Sequence, residues 1–377
     1  MRPDATPIPF IDIGAQRRRL GTAIDDAVAK VLTHCQFVMG PEVRELEAEL
    51  SKFCGAKHTI PCASGTDALV MVLMAKGVGP GDAVFCPSFT FCATAESVVI
   101  VGATPVFVDV DEKTFNIDLA SLEQAIKETK RGKLNAKAII PVDLFGQPAD
   151  LDAVAAIAKR EGLFVISDAA QSFGATYKGK RVGTQALATT TSFFPAKPLG
   201  CYGDGGAIFT DDDQLADVLR SVRVHGQGTD KYDNIRIGIT GRLDTIQAAV
   251  LLEKLRIFPD EIEARNRVAA RYAAGLKDVA IVPEVPAGYG SVWAQYTIRV
   301  ANRDALGPAL QKRGVPTAIY YPKPVHRQTA YRDFPAAGNG LPVTDRISAD
   351  VIALPMHPYL DEATQDRVIA AVRESLS

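Results

Sequence analysis

From about Ser64 to Phe209 the chain alternates short apolar runs with stretches of helical period, which is the pattern of a parallel sheet wrapped by helices. Four runs read as strands: Ala83–Pro87, Pro105–Val110, Ala138–Val142 and Phe164–Ser167, each followed by turn or helix-start residues. Between the last two, Asp150 can cap a helix that lines up Leu151, Val154, Ile157 and Ala158 on one face, giving a βαβ crossover. The expected fold is therefore α/β, with a mostly parallel central sheet and helices on both faces. Farther on, Leu243, Ile246, Val250, Leu251 and Leu255 recur at helical spacing until Phe258-Pro-Asp interrupts the pattern. That interruption predicts a large domain over residues 1–257 and a smaller α+β domain over 258–377. The smaller one would hold elements at Ala294–Val300, Ala305–Arg313, Ala318–Tyr321 and Asp361–Ser375. Ala15–Gln36 reads as one N-terminal helix, packed on the large domain or on a partner chain.

Several function classes drop out on composition. With 42 basic and 44 acidic side chains in 377 residues, no global field favours nucleic acid or an anionic membrane. The most apolar stretch, Ser97 to Val110, is broken by Pro105 and Asp109 and falls short of the ~20 residues of a membrane span. Met1-Arg-Pro-Asp-Ala-Thr-Pro lacks the pattern of a secretory signal, so a cytoplasmic protein is expected. The six cysteines form no CxxC pair and the five histidines no HExxH, so no metal site is indicated and the thiols are expected to be reduced and mostly buried. No GxGxxG follows a strand. Gly174-Ala-Thr-Tyr-Lys-Gly-Lys-Arg resembles a phosphate loop until Arg181, where that loop needs Ser or Thr; a hairpin turn at Lys178-Gly179-Lys180 fits better.

Three other segments carry chemistry. In Ala63-Ser-Gly-Thr-Asp-Ala-Leu, small residues lead into an apolar helix, whose free N–H groups and dipole favour a phosphate. Gly65 allows close approach and Thr66 can add a hydroxyl, although ordinary N-capping by Ser64 accounts for the same letters. Asp168 stands just beyond a strand, where open α/β sheets bind ligands. A protonated pyridine nitrogen would partner it; a helix cap or a structural ion pair is the alternative. Lys197 sits among apolar and glycine-rich neighbours that should desolvate its amine and make it nucleophilic toward an aldehyde. Ser192 stands five positions before it, so aldehyde, ring nitrogen and phosphate each have a candidate partner.

Together these segments resemble the DegT/DnrJ-type nucleotide-sugar aminotransferases, a branch of the fold-type I enzymes dependent on pyridoxal 5'-phosphate (PLP). The resemblance runs almost end to end, through SGTDAL (64–69), PSFTFCATA (87–95), GATPVFVDVD (102–111), SDAAQSFGA (167–175), SFFPAKPLGCYGDGGA (192–207) and GRLDTIQAA (241–249). It implies that Lys197 holds the cofactor covalently and later shuttles a proton between cofactor and substrate carbon. By the same likeness, Asp168 holds the ring N–H, Phe91 stacks on the ring and Gln171 contacts the ring hydroxyl. Gly65, Thr66 and Ser192 bind the phosphate. For Phe91, simple core packing is the competing reading. The family also implies a homodimer with shared active sites, each completed by a partner segment that usually reads Gly-x-Asn-x-Arg. This chain has Gly238-Ile-Thr-Gly-Arg242, so Thr240 stands where an Asn normally reaches the phosphate.

Within the family, residues 192–213, KLRIFPDEIEARN (254–266) and LPMHPYLD (354–361) most resemble enzymes that aminate C3 of UDP-2-acetamido-2-deoxy-3-oxo-glucuronic acid, with L-glutamate as donor. Both carry a carboxylate, for which arginine is the natural bidentate reader. Arg242 is the candidate, with a solvated or structural arginine as the alternative; Tyr321 and His326 are further sugar-site candidates. Two other readings stay open: an aminotransferase for a 4-keto-6-deoxy nucleotide sugar, and a non-catalytic protein of the same fold acting as a regulator or binding partner.

Overall fold

The structure is a computed structural model that describes residues 7–230 and 232–376. Most of the segment read for a secretory signal, residues 1–6, lies outside the described residues. Three helices precede the sheet: α1 (Ile13–Leu20), α2 (Ala23–His34) and α3 (Pro41–Cys54). The chain then runs β1 (His58–Cys62), α4 (Gly65–Ala75), β2 (Asp82–Pro87), α5 (Ala93–Ile100), β3 (Thr104–Val108), α6 (Leu119–Arg131), β4 (Asn135–Ile139), α7 (Leu151–Glu161) and β5 (Phe164–Asp168). A small hairpin of β6 (Thr176–Tyr177) and β7 (Lys180–Arg181) precedes β8 (Ala188–Ser192), β9 (Gly206–Thr210) and α8 (Asp213–Val222). The long α9 (Thr245–Leu276) leads to β10 (Tyr289–Gly290), β11 (Tyr296–Arg299), α10 (Arg303–Lys312), α11 (Pro342–Asp350), β12 (Val351–Leu354) and α12 (Glu362–Leu376).

Among the described residues, seven strands form the central sheet in the order β3-β2-β4-β5-β8-β9-β1, and only β9 runs against its neighbours. Because side chains alternate along a strand, β9 serves two cores. Ile208 joins one built with α4, α6, α7 and α8, while Ala207 and Phe209 join another built with α3 and α9. Helices therefore cover both faces, as the sequence predicted. The α7 reading also holds: Asp150 accepts from Ala153 N, and Leu151, Val154, Ile157 and Ala158 are all buried. So does the hairpin, whose Lys178 and Gly179 both take positive φ (49° and 80°), the geometry of a tight hairpin turn.

Other expectations need correction. The N-terminal helix is two helices, broken at Gly21 with φ 57° and ψ −131°. β4 begins and ends three residues earlier than predicted, since Asn135 and Lys137 masked its start and Pro141 cannot donate to a ladder. Ala318–Tyr321 contributes only an isolated bridge between Ala318 and Ala353, and Pro322 follows it directly. Most notably, α9 does not stop at Phe258-Pro-Asp. An interior proline costs a helix about 3 kcal/mol, yet Phe258 and Ile262 on either side of Pro259 are buried against the Phe173-Gly174 corner. A Cβ on Gly174 would lie 2.7 Å from the Phe258 ring, so α9 packs closely on this corner, and the burial of Phe258 and Ile262 works against the cost of the proline. Beyond it, α9 supplies Val268, Tyr272 and Leu276 to a third core with β11, β12, α10 and α12.

No described helix is long and apolar enough to cross a membrane, and no metal-binding cluster occurs among the described residues. The cysteines are free, with Cys54, Cys62, Cys86 and Cys201 buried and only Cys35 exposed.

Candidate active site

The strand ends and helix starts at the carboxyl edge of the sheet converge on one place. Ser64 caps α4 by accepting from Asp67 N at 3.0 Å, which leaves the N–H groups of Gly65 and Thr66 as helix-start donors. Backbone approach is close here. A Cβ on Gly65 would lie 2.7 Å from Ser192 Cβ, and one on Gly206 would lie 2.4 Å from Ser64 O. The two glycines let the start of α4 lie against the ends of β8 and β9, so the helix-start N–H groups and Ser192 share one corner whose donors could hold an anion. Gly206 was missed in the sequence, where it is one glycine among several in its segment.

Asp168 ends β5 and is 4% exposed. Thr94 Oγ1 donates to its Oδ2 at 2.8 Å and Ala170 N to its Oδ1 at 3.2 Å. Burial pushes this carboxyl above its ordinary value, against the pull of those two donors and of the Lys197 charge. Thr94 was also missed: it is 74 positions from its partner. Lys197 lies in the loop after β8, half-buried. Desolvation holds its amine below the usual lysine range, and the charge of Asp168 opposes that shift. A buried carboxylate and a desolvated amine that sense each other suit a ring bearing both a protonated nitrogen and an aldehyde.

Gln171 links this centre to the C-terminal part of the chain. Its Oε1 accepts from Phe145 N at 2.8 Å, and its Nε2 donates to the Tyr321 hydroxyl at 3.1 Å. Burial beside Phe89, Phe91 and Tyr320 holds the Tyr321 phenol above its ordinary value, so it stays protonated at neutral pH. Phe91 is 54% exposed, with its ring 6.4 Å from that of Tyr321. It is therefore a surface aromatic and not a core one. An exposed ring beside Tyr321 and the Gln171 amide suits a planar cofactor, as the anion corner suits its phosphate; PLP fits the residues present.

The remaining candidates are Thr240, Arg242 and His326. Arg242 pairs through its backbone with Cys62, and Gly241 O accepts from Ala63 N at 3.1 Å, so the segment runs beside the chain just ahead of Ser64. The Arg242 guanidinium donates to Thr240 Oγ1 at 2.6 Å, and Thr240 is exposed. His326 turns to Ser88 Oγ at 2.6 Å and lies 3.3 Å from Asp345. Those contacts fix the Val325–Arg327 turn.

Comparison with known proteins gives the geometry a family. The model of the DegT/DnrJ/EryC1/StrS aminotransferase family matches residues 18–373. The chain is 52% identical over 366 residues to the UDP-2-acetamido-2-deoxy-3-oxo-D-glucuronate aminotransferase of Pseudomonas aeruginosa, covering 97% of this chain and 99% of that one. A crystal structure of an aminotransferase of the same family from Brucella abortus superposes with a TM-score of 0.97 at 56% identity, covering 98% of this chain and 100% of the other. The Bacillus subtilis protein NtdA, solved with bound cofactor PMP, is 30% identical with a TM-score of 0.90, covering 100% of this chain and 86% of its own. The chain thus belongs to the DegT/DnrJ/EryC1/StrS aminotransferase family, whose enzymes depend on PLP.

Proposed function

We propose that this protein moves an amino group from L-glutamate to C3 of UDP-2-acetamido-2-deoxy-3-oxo-glucuronic acid, supplying an amino sugar for surface polysaccharides such as lipopolysaccharide O-antigen. The observation that carries the reading is the meeting of Lys197, Asp168 and the Gly65–Ser192 corner at one edge of the sheet, in a chain 52% identical end to end to an enzyme named for that sugar. When bound, PLP supplies the electron sink for amino transfer. Lys197 holds it and moves the proton at the substrate carbon. Asp168 keeps the ring nitrogen protonated. Gly65, Thr66 and Ser192 hold the phosphate, Phe91 lies on the ring face, and Gln171, itself held by Phe145 N, reaches the ring hydroxyl. Arg242 takes the carboxylate of donor and acceptor in turn, with Tyr321 and His326 bordering the sugar.

The protein works as a cytoplasmic homodimer with shared sites. Exposed apolar side chains flanking the Lys197 loop and Thr240, among them Phe194, Ile235 and Ile237 (84% exposed), support this reading. In it the Gly238–Arg242 segment completes the partner's site, and Thr240 reaches the phosphate through water. The 1–257 and 258–377 division is part of the same proposal, with α9 as the shared support.

The test is the visible spectrum of the purified protein with added PLP. A band should appear, L-glutamate alone should bleach it, and the 3-oxo-uronate should restore it more effectively than a neutral 4-keto-6-deoxy sugar. A missing band removes the aminotransferase reading; restoration by the 4-keto sugar alone removes the proposed acceptor.

A further inference from the structure

The loop that carries Lys197 shapes itself but does not place itself. Phe193 N donates to Gly205 O and Cys201 N to Phe193 O, both at 2.7 Å, which closes its base. Inside it, Lys197 N donates to Phe194 O at 2.8 Å, and a Cβ on Gly200 would lie 2.6 Å from Phe194 O. Its far side is held from outside by α9. Gln247 Oε1 accepts from Tyr202 N at 2.8 Å and its Nε2 donates to Tyr202 O at 3.4 Å, an amide clamp on both sides of one residue. Seven positions on, two turns along the same helix face, Lys254 Nζ donates to Gly200 O at 2.7 Å and lies 4.2 Å over the Tyr202 ring.

Lys254 is an expensive way to fill that space. It is 1% exposed, and its ammonium is satisfied by a carbonyl and a ring instead of a carboxylate. Burial pushes it down to about 8, with Cys201 and Glu261 opposing. A methionine of similar volume would avoid the desolvation, so stability alone does not account for a cation here. What the cation provides is a directional bond to the loop three residues from Lys197.

We propose that Lys254 and Gln247 are positioning residues for amino transfer, which fix where the Lys197 loop sits without touching cofactor or substrate. This rests on Lys197 being the lysine that holds PLP. Misplacing a reacting group by about 1 Å can cost about 10²-fold in rate. Lys254→Met and Gln247→Leu, made in the full chain, should therefore lower kcat about 10- to 100-fold while the KM for L-glutamate changes less than about 3-fold. They should also shift the pH midpoint of the bound-PLP band. In cofactor-free protein, amide exchange across residues 198–203 should be faster by about tenfold or more. Lys254→Arg, which keeps a donor for Gly200, should recover part of each effect.

Variants that merely melt at lower temperature, with kcat, pH midpoint and loop exchange as in the native protein, would overturn the proposal. Gln247 is half-buried, so its variant carries the same test if Lys254→Met does not fold. Lys197→Ala separates the two readings. A normal PLP band in that variant would remove Lys197 from its role, whereas the exchange measurement still reports whether α9 holds the loop.

Discussion

Asp168 and Arg242 are both charged and both belong to the proposed site, yet they are held in opposite ways. Asp168 is buried at the end of a central strand, fixed by Thr94 and Ala170 and pushed upward by desolvation. Arg242 is half-buried on an irregular segment, and its bond to Thr240 is a short local one. The same contrast separates the two ends of the site. Asp168, Gly65 and Ser192, proposed for the cofactor, sit at strand ends and a helix start on the sheet edge, where moving them means disturbing a packed core. Those proposed for the sugar sit on connecting segments whose shape the core does not dictate. A shared cofactor end and a variable sugar end are what a family that keeps one chemistry and changes its acceptor requires.

The contrast predicts where substitutions act. Asp168→Ala should lower kcat by at least about 10²-fold with every acceptor, because in the proposed mechanism it removes the charge that keeps the ring nitrogen protonated. A loss confined to one sugar would break the division of labour. Gly65→Ala should act next most strongly and on the cofactor alone. The new Cβ would lie 2.7 Å from Ser192 Cβ and 3.2 Å from Ser192 Cα, so α4 must retreat from β8. Overpacking of this kind costs about 1–3 kcal/mol, which titration with PLP should read as roughly 5- to 150-fold weaker binding. Unchanged PLP affinity would mean that the corner does not hold the phosphate.

The cofactor end was also the more legible part of the sequence, for a physical reason. A lysine among glycines and apolar residues, and an aspartate just past a buried strand, are each locally anomalous, so the letters alone draw attention to Lys197 and Asp168. Their supports carry no such mark. Thr94 is 74 positions from Asp168, and Tyr321 is 150 from Gln171; only the fold brings them together. Lys254 falls within an ordinary amphipathic helix pattern, where a lysine normally reads as solvated surface. The fold followed the same rule: α7 was visible because its burial is periodic, whereas the continuation of α9 through Pro259 depends on packing against Phe173 and Gly174, residues far away in the chain. His326 stands out in the sequence as a histidine in a Tyr-Pro-rich loop, while the partners that orient its ring, Ser88 and Asp345, carry no mark there.

The sugar end can be sharpened through Arg242. Its guanidinium is satisfied on one side by Thr240 Oγ1, and the rest of its fork can take a carboxylate in bidentate fashion. A charge-assisted hydrogen bond at a half-buried position contributes about 1–2 kcal/mol, so Arg242→Ala should lower kcat/KM for the 3-oxo-uronate about 5- to 30-fold more than for a neutral 3-oxo nucleotide sugar that differs from it only in lacking the carboxylate. L-glutamate complicates the comparison, since its carboxylate uses the same arginine in the donor half of the cycle. That contribution stays out of kcat/KM for an acceptor, which reports the acceptor half of the cycle alone, so the two sugars can be compared directly. Equal losses with the two sugars would leave the uronate carboxylate to be read elsewhere; a loss confined to the uronate would place acceptor choice on a segment that the sheet does not rigidly hold.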